Sequence, residues 1–545
     1  MEETGNRLQQ QSMFDEGSVS YRGSSYTEFM MTVFRRASRE RSKAIGQFFT
    51  PSEIFNPLVK KTSRYISDTG LKAIRVIDPF CGDGRLLVSL LETLSDEKVD
   101  LDEVTIVGWD IDSTAVSSSM AAIKETAAQL PYRVNIQIER KDAFLCESSY
   151  YGSFDVCITN PPWSSTKSLK ARAFVDEEEY KHYQILAGEY TKILCGRFPK
   201  VKAGASFGTG AINLSRFGMK LSVELIRKSG LCAIVMPSSF AGDTSSRRLR
   251  EDLFRERELA SLDYYPAELK LFEGADQAGI AIVLTNQSGD ASSGSVVSHM
   301  KNEKLAYDID ENFRRYSSRN GYSIPLGYSD SEMRLIERLS DYPLLGSMSQ
   351  YHLGREVDET RIADRLCKKS AYRFVKGFMI MPYQLIEDQQ WFYNDKVASI
   401  PPSAHAEKVV WRDISRASQE KRIKATLLPE GFVAGNSLGV ATASDGAQLR
   451  VLVAVLNSRV FEFMARTMLT TNHVSAGVLK RLPMPCLRPD TECELAVLVN
   501  QMLDNPTSLD IYDQIEALVS QGYGLDKHDM QLVSNKISFS NLDRY

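Results

Sequence analysis

Residues 154–163 read FDVCITNPPW, a strand-like run that ends in two prolines. The apolar residues at 156–158 have the composition of a buried β-strand. The strand has to stop at the NPPW sequence, because two successive prolines lack N–H groups and fix φ. The turn that follows is rigid and nearly extended, so it would hold the amide of Asn160 and the indole of Trp163 in fixed positions.

Three more strand-like runs precede this turn, and each leads into glycine or acidic residues. Residues 74–91, IRVIDPFCGDGRLLVSLL, combine a strand, a glycine turn and the start of a helix. Glycines in such a turn let backbone N–H groups approach a ligand at the helix N-terminus. The second strand ends at Asp110, where a nucleotide-type site binds a ribose diol, and the third leads to Asp142. This alternation predicts a doubly wound, mostly parallel α/β sheet with its site at the carboxyl edge.

The composition is that of a globular protein long enough for two or three domains. Of its 545 residues, 43% are hydrophobic and 25% charged, and no apolar run approaches the ~18 residues that span a bilayer. The eight cysteines are scattered, which argues against a metal site or a disulfide framework and favours a reduced, cytoplasmic compartment. A net charge of −4 does not exclude nucleic-acid binding, because a basic cleft on an acidic body is sufficient.

Changes in composition and in the pattern of apolar residues divide the chain into four parts. Residues 1–25 are predicted to be disordered, and residues 26–290 to form the α/β domain. The sequence QSGDASSGSVVS at 287–298 is the clearest linker. Residues 291–486 are predicted to form a mixed α+β domain, and residues 487–545 a helical C-terminal tail.

Five blocks of sequence occur in a characteristic order: GQFFTP at 46–51, DPFCGDG at 78–84, WDID at 109–112, DAF at 142–144 and TNPPW at 159–163. Together they resemble the motifs of S-adenosylmethionine-dependent adenine-N6 DNA methyltransferases of the gamma group, which belong to restriction–modification systems or act alone. The resemblance implies a Rossmann-like methyltransferase sheet over roughly 26–290. A weaker resemblance, in LNSR at 456–459, LPMP at 482–485 and YGL at 523–525, implies a DNA target-recognition domain and tail.

The resemblance also implies the ligands and a role for each matching residue. The cofactor would be S-adenosyl-L-methionine and the substrate double-stranded DNA, with a cognate restriction endonuclease or defence-system subunit as a further partner. A flipped-out adenine would be held by the catalytic residues Asn160, Pro161, Pro162 and Trp163, with Phe272 as a second stacking ring. The cofactor would be held by Thr50, Pro51, Asp78, Gly82, Gly84, Asp110 and Asp142.

The cofactor roles differ from residue to residue. Thr50 would bind the methionine carboxylate, Asp78 the methionine amine and Asp110 the ribose hydroxyls, while Asp142 would bind the adenine amino group. Structural alternatives stay open, since Asp78 could only cap a helix and Asp112 competes with Asp110. Phe272 could equally be ordinary core.

Several further segments carry weaker predictions. The polar segment 164–205 is predicted to be an irregular, mobile cover. Basic clusters near 35–43 and 247–250 are either solvated helix faces or phosphate contacts. Trp411 is either a core residue or a DNA contact, and Arg412 is either part of a surface salt bridge or a DNA contact. His473 is either a polar loop residue or a residue that reads a base.

Three rival functions remain at this point. The chain could be a modification subunit that is active only within a larger restriction or defence complex. It could be a non-catalytic DNA-binding component that kept the fold. Transfer to RNA or to a protein glutamine is a third alternative, because similar turns serve those acceptors.

Overall fold

The computed structural model describes residues 26–31, 50–174, 176–201, 212–272, 277–285, 294–358, 366–386, 391–394, 399–416, 419–469 and 472–538. The chain forms two compact units, Met1–Phe240 with Ser245–Asp310, and Ala241–Thr244 with Glu311–Tyr545. The predicted disorder at 1–25 and the basic cluster at 35–43 lie outside the described residues. Among the residues that are described, no helix is both long and apolar enough to cross a membrane.

The described part of the first unit is built on a nine-stranded sheet with the order β3-β2-β1-β4-β5-β7-β6-β8-β9. Its strands are β1 (Ala73–Asp78), β2 (Glu103–Asp110), β3 (Arg133–Arg140), β4 (Phe154–Thr159), β5 (Ile226–Pro237), β6 (Glu258–Tyr265), β7 (Gly279–Thr285), β8 (Ser295–His299) and β9 (Lys304–Asp308). Strands β1 to β5 pair in parallel, whereas β7 is antiparallel to β5 and β6. The predicted doubly wound, mostly parallel α/β sheet is confirmed.

Helices connect and cover these strands. They are α1 (Ser52–Thr69), α2 (Arg85–Asp96), α3 (Ser113–Ala127), α4 (Glu177–Arg197), α5 (Leu214–Leu225) and α6 (Arg247–Glu256), and residues 26–31 are also helical. On α2 the fully buried Leu87, Leu90 and Leu94 recur at helical spacing. They pack into one core with Val76 of β1 and Ile106 of β2, and this burial holds the helix on the sheet.

The register of the parallel strands brings their carboxyl ends to one edge. Val76 of β1 is the partner of both Ile106 of β2 and Val156 of β4. Most residues of these central strands are buried, as expected for parallel strands covered on both faces. The residues that end β1 and β2, Asp78 and Asp110, therefore lie near each other.

The prediction of an irregular segment at 164–205 is wrong for Glu177–Arg197, which forms the 21-residue helix α4. The acidic run that begins the helix is part of the reason. Asp176 is the N-cap and accepts a hydrogen bond from the Glu179 N–H at 2.7 Å. The glutamates that follow lie in the first turn, where negative charge favours a helix.

The first unit also extends beyond the predicted boundary at 290. Strand β8 pairs in parallel with β6, with Val296 opposite Leu262, and β9 pairs with β8. Part of the predicted linker at 287–298 therefore belongs to the sheet, and the unit ends at Asp310.

The second unit is a mixed α+β structure in its described residues. Two four-stranded sheets have the orders β10-β19-β16-β17 and β11-β15-β12-β18, and β13-β14 is a separate pair. The strands are β10 (Tyr351–Gly354), β11 (Leu366–Cys367), β12 (Tyr372–Val375), β13 (Ile380–Met381), β14 (Gln384–Leu385), β15 (Trp391–Tyr393), β16 (Lys408–Arg412), β17 (Ala425–Leu428), β18 (Phe432–Ala434) and β19 (Leu438–Ala443).

The helices of this unit are α7 (Glu311–Arg319), α8 (Asp330–Leu339), α9 (Gly446–Leu456), α10 (Arg459–Arg466), α11 (Ala476–Leu479), α12 (Pro489–Asp504), α13 (Leu509–Gly522) and α14 (Lys527–Lys536). Helices α12 and α13 match the helical pattern predicted for the tail. Because α12 packs against α9, the region 487–545 is part of the second unit and not a separate tail.

Candidate active site

One pocket at the carboxyl edge of the sheet collects most of the predicted site residues. It is lined by Thr50, Asp78, Gly82, Asp110, Asp142, Asn160 and Pro162. Pro51, Gly84, Pro161 and Trp163 are immediate or close chain neighbours of these lining residues. The pocket is also lined by Tyr26, Thr27, Met30 and Met31 of the helical segment 26–31 and by Tyr190 of α4, to which the sequence assigns no role.

Asp78 is buried at the end of β1 and is held by its neighbours. Its Oδ1 accepts hydrogen bonds from the Thr159 hydroxyl at 2.5 Å and from the Phe80 N–H at 3.0 Å. The N-cap of the following helix is Gly84, so Asp78 is not the cap. Burial raises the pKa of Asp78 to about 7, although both hydrogen bonds oppose the rise.

The glycine turn between β1 and α2 has the backbone conformation that glycine permits. Gly82 and Gly84 have φ values of +53° and +82°. The Gly82 N–H donates to Asp110 Oδ2 at 3.0 Å, so the turn and the end of β2 are joined. A Cβ on Gly84 would lie 2.5 Å from Ser119 Oγ on α3, so this position also needs glycine for close packing.

The two acidic residues after β2 have different partners. Asp110 Oδ1 accepts a hydrogen bond from the Asp112 N–H at 2.8 Å, and burial raises the pKa of Asp110. Asp112 also reaches the pocket, but its side chain caps α3 and accepts from the Thr114 N–H at 3.0 Å. The structure thus gives Asp112 a structural role and places the Asp110 carboxylate between the glycine turn and the pocket.

Asn160 follows β4 and joins the NPPW turn to the GQFFTP block. Its Nδ2 donates to Thr50 Oγ1 at 2.9 Å. Pro51 is the N-cap of α1, and its carbonyl accepts the N–H groups of Ile54 and Phe55 at 3.0 Å each. The start of α1 therefore fixes Thr50, and Thr50 orients the amide.

The turn is supported from behind by a glycine of α5. A Cβ on Gly218 would lie 2.3 Å from the Cβ of Pro161. No real Cβ contact is that short, so the helix approaches the prolines only because Gly218 has no side chain. The position of the turn depends on this close contact.

Trp163 and Phe272 are brought together, but as a buried pair. Their ring centroids are 4.7 Å apart with planes tilted by 57°, and the residues are 6% and 3% exposed. Gly279 of β7 lies against both rings, where a Cβ would meet Phe272 at 2.8 Å. Because the rings touch, a base can lie between them only if they separate.

The Asp142 carboxylate accepts hydrogen bonds from three groups that the sequence does not predict. Its Oδ2 accepts from the Thr27 hydroxyl at 2.7 Å and from the Tyr190 hydroxyl at 2.9 Å. Its Oδ1 accepts from the Phe144 N–H at 3.0 Å. Burial raises the pKa of Asp142, although the hydroxyl and N–H donors oppose the rise. The helical segment 26–31 and α4 are thereby tied to the end of β3.

Tyr26 strengthens the same connection. Its ring stacks on that of Tyr190 with centroids 4.4 Å apart, and its hydroxyl donates to the Thr166 carbonyl at 3.1 Å. Burial raises the pKa of both phenols, so both stay protonated donors. The apolar spacing of 26–41 predicts a helix there, but no local motif indicates that its aromatic and hydroxyl groups reach the pocket.

The candidate nucleic-acid residues differ in exposure. Trp411 is fully buried and its Nε1 donates to the Val474 carbonyl at 2.8 Å, which makes it a core residue. Arg250 is also buried, with Nη1 donating to the Phe240 carbonyl at 2.7 Å, so neither alternative given for the cluster at 247–250, a solvated helix face or a phosphate contact, holds for Arg250. The side chain of His473 is 59% exposed.

The sequence is similar to known proteins over part of its length. The Type II methyltransferase M.MamI of Microbacterium ammoniaphilum is 28% identical over 143 residues, 25% of this chain and 39% of the relative. The Type II methyltransferase M.VspI of Vibrio sp. is 23% identical over 249 residues, 45% of this chain and 49% of the relative. The Type I restriction enzyme MjaIX methylase subunit of Methanocaldococcus jannaschii is 26% identical over 122 residues, 22% of this chain and 20% of the relative. The chain thus spans at most about half the length of these curated relatives.

One solved structure matches nearly the whole chain in fold. The Type IIL restriction-modification enzyme MmeI, solved in complex with DNA, aligns over 95% of this chain and 76% of its own, with a TM-score of 0.51 and 11% identity. At this identity the similarity concerns the fold alone. Residues 23–196, less than half of the chain, match the family model described as N-6 DNA Methylase, and this segment contains the glycine turn, the acidic strand ends and the NPPW turn.

Proposed function

We propose that the chain is a site-specific DNA methyltransferase that transfers a methyl group from S-adenosyl-L-methionine to N6 of an adenine flipped out of duplex DNA. The observation that carries the proposal is the Asn160 amide, which is oriented by Thr50 in a pocket whose lining includes the carboxylates of Asp78, Asp110 and Asp142. The N-6 DNA methylase match and the Type II methyltransferase relatives support it. The biological role we propose is restriction–modification or related host and phage defence.

The pocket residues fit a cofactor made of a nucleoside and an amino-acid tail. A carboxylate has about four acceptor sites, and two backbone N–H bonds to Asp110 leave room for ribose hydroxyls. Three donors on Asp142 leave about one site for an adenine amino N–H. Asp78 would bind the amine, and the region of Thr50 and Pro51 the carboxylate. When bound, S-adenosyl-L-methionine supplies an electrophilic methyl group on a sulfonium sulfur.

The acceptor half of the site would act on a weak nucleophile. The amino nitrogen of adenine has its lone pair delocalised into the ring. Asn160 Oδ1 and the Pro161 carbonyl would each accept one of its N–H bonds, which favours a pyramidal nitrogen with its lone pair directed at the methyl group. These bonds strengthen as positive charge develops, so they stabilise the transition state more than the ground state. No base is needed before attack, because the product ammonium is very acidic.

The target base would be held by stacking after it leaves the duplex. Flipping costs a few kcal/mol, and a stacked aromatic ring returns about 1–3 kcal/mol. We assign this role to Trp163, with Pro162 at the pocket wall. Stacking by Phe272 as well would require the two touching rings to separate when the base enters.

Sequencing of methylated bases in DNA from cells that express the chain tests the proposal directly. The expected result is N6-methyladenine at one short sequence motif with the wild-type chain and none with Asn160→Ala. Modification at cytosine, or no modification in any condition, would contradict the assigned reaction.

A modification subunit of a larger complex is the second candidate. It is favoured by the similarity to the Type I restriction enzyme MjaIX methylase subunit. In that case the purified chain alone would leave DNA unmodified, and methylation would appear only when the separate partner subunits are present.

A further inference from the structure

A cluster of exposed polar residues in the second unit has no role in the chemistry proposed above. Arg355 follows β10, and Ile414 and Arg416 follow β16. Asn472 and His473 precede α11 and lie beside the end of β16, because Ile414 pairs with His473 and the Ser415 N–H donates to the Asn472 carbonyl at 2.8 Å. Chain segments that are far apart in sequence therefore form one continuous surface.

A buried carboxylate fixes this surface from below. Asp413 is 2% exposed, and its Oδ2 accepts a hydrogen bond from Arg355 Nη2 at 2.6 Å and lies 3.1 Å from His473 Nδ1. The side chains of Arg355 and His473 nevertheless remain 52% and 59% exposed. One buried charge thus orients two accessible side chains, which lowers the conformational entropy that they would lose on binding.

The exposed side chains of this surface carry guanidinium and amide groups, which are the kinds of group that proteins use to recognise nucleic acid. Arg355 retains further N–H donors after one of them is used by Asp413, and such donors pair with phosphates or with guanine edges. Arg416 and Asn472 are exposed beside it and supply a second cation and an amide. Ile414 is 52% exposed, so an apolar contact lies within the polar surface. A purely structural ion pair would account for the contact between Arg355 and Asp413. It would not account for the exposed cation, amide and apolar side chain that lie beside that pair.

Charge favours a polyanion as the occupant. The protein has a net charge of −4, whereas the exposed side chains of this surface include two arginines and no carboxylate among the residues just described. The one carboxylate in contact with them, Asp413, is buried. Two exposed cations on an acidic protein favour contact with a polyanion at this surface.

We propose that Arg355, Ile414, Arg416, Asn472 and His473 contact duplex DNA, and that Asp413 holds Arg355 and His473 in position for this contact. The proposal rests on the proposed function, because duplex DNA is the substrate named there. It adds the residues through which the second unit binds that substrate.

Fluorescence anisotropy with the full chain and labelled duplex DNA tests the proposal over a series of salt concentrations. The double variant Arg355→Ala/Asp413→Ala removes the cation together with its buried partner, so no unpaired buried charge remains. We expect it to bind about tenfold more weakly, with a salt slope reduced by about one if the contact is to phosphate. The control Arg334→Ala removes an arginine that is 76% exposed on α8 and should change affinity less than about twofold.

The single variant His473→Ala should also weaken binding. If the double variant does not fold, Arg355→Lys replaces it, since lysine keeps the charge but lacks the planar fork. Wild-type affinity and an unchanged methylation motif in these variants would overturn the proposal. Failure of the proposed function is distinguishable, because the wild-type chain would then leave duplex DNA unmethylated, whereas failure of the present proposal leaves wild-type methylation intact and the affinity of the variants unchanged.

Discussion

The hydrogen bond between Asn160 and Thr50 joins two motif blocks that are 110 residues apart. Each block is recognisable in the sequence, and both residues line the predicted pocket. The bond itself could not be predicted, because it depends on how α1 and β4 pack in three dimensions. The same limit applies to Asp142, whose partners Thr27 and Tyr190 lie 115 and 48 residues away.

Replacement of Asn160 by alanine should lower the rate of methyl transfer without lowering the affinity for the cofactor. We expect the rate of methyl transfer to fall by about 10²–10³-fold or more, because one hydrogen bond to the developing charge is lost. Cofactor affinity, measured by calorimetry, should change little. The control Asn535→Ala makes the same replacement at an exposed position of α14 and should keep wild-type turnover. Wild-type turnover in Asn160→Ala would exclude the assigned role.

The raised pKa of Asp78 predicts a pH dependence of stability. Because the folded-state pKa is about 7 instead of 3.8, the protonated form is favoured by the fold. This contribution is fully present below the unfolded value and is lost as the pH rises through about 7. The free energy of unfolding of the wild type should therefore fall, relative to that of Asp78→Asn, as the pH rises from 3.8 to about 7. The slope of this fall should be at most about 1.4 kcal/mol per pH unit.

Denaturant titrations at a series of pH values measure this difference. The control Asp96→Asn makes the same chemical change at an exposed position of α2. Parallel pH profiles for wild type and Asp78→Asn would show that the Asp78 carboxyl is not held in its neutral form by burial.

Helix α4 is the element that the sequence interpretation placed least well. Its buried residues, Tyr183, Leu186, Ala187, Tyr190 and Leu194, recur at helical spacing, so the signal is present in the sequence. The charged run before them indicated a solvated loop, although it forms the N-terminal turn of the helix. By contrast, β1 to β4 were all predicted as strands, and three of them, β1, β2 and β4, are mostly buried and apolar, as is typical of parallel strands covered on both faces.

The contact of α4 with the pocket can be tested through Tyr190→Phe. This variant keeps the ring that stacks on Tyr26 but loses the hydroxyl that donates to Asp142. We expect cofactor affinity to fall by about threefold to tenfold, the usual net effect of losing one hydrogen bond.

Tyr132→Phe is a matched control, because Tyr132 is also buried but its hydroxyl donates to the Leu91 carbonyl at 2.8 Å in the core. Its cofactor affinity should equal that of the wild type, measured by the same calorimetric titration. An equal loss in both variants would indicate a general effect of removing a buried hydroxyl.

At the scale of the whole molecule, the sequence predicts two domains but not the residue at which the first ends and the second begins. The Gly- and Ser-rich segment at 287–298 has the composition of a linker, yet β8 begins within it at Ser295. The strand is short, and only Val296 and Ser298 of its five residues are buried, so composition hides it. The helices of the C-terminal region were predicted, but their packing into the second unit depends on contacts with α9 that no local pattern contains.

The size of the second unit predicts an enzyme that works alone. If it binds the target DNA, the purified chain with S-adenosyl-L-methionine should methylate DNA without a partner protein. Transfer of a labelled methyl group to plasmid DNA measures this, with Asn160→Ala as the inactive control. Activity that appears only after a second subunit is added would favour the modification-subunit alternative.

Gly218 lies outside the NPPW motif, but its lack of a side chain helps to position the turn. The NPPW turn can stand where it does because α5 carries a hydrogen in place of a methyl group behind Pro161. For enzyme engineering, this makes position 218 a means of shifting the turn without changing any residue that would contact a ligand. A directed-evolution library for altered acceptor preference would therefore gain by including position 218, which is not among the pocket-lining residues that alanine scanning would sample.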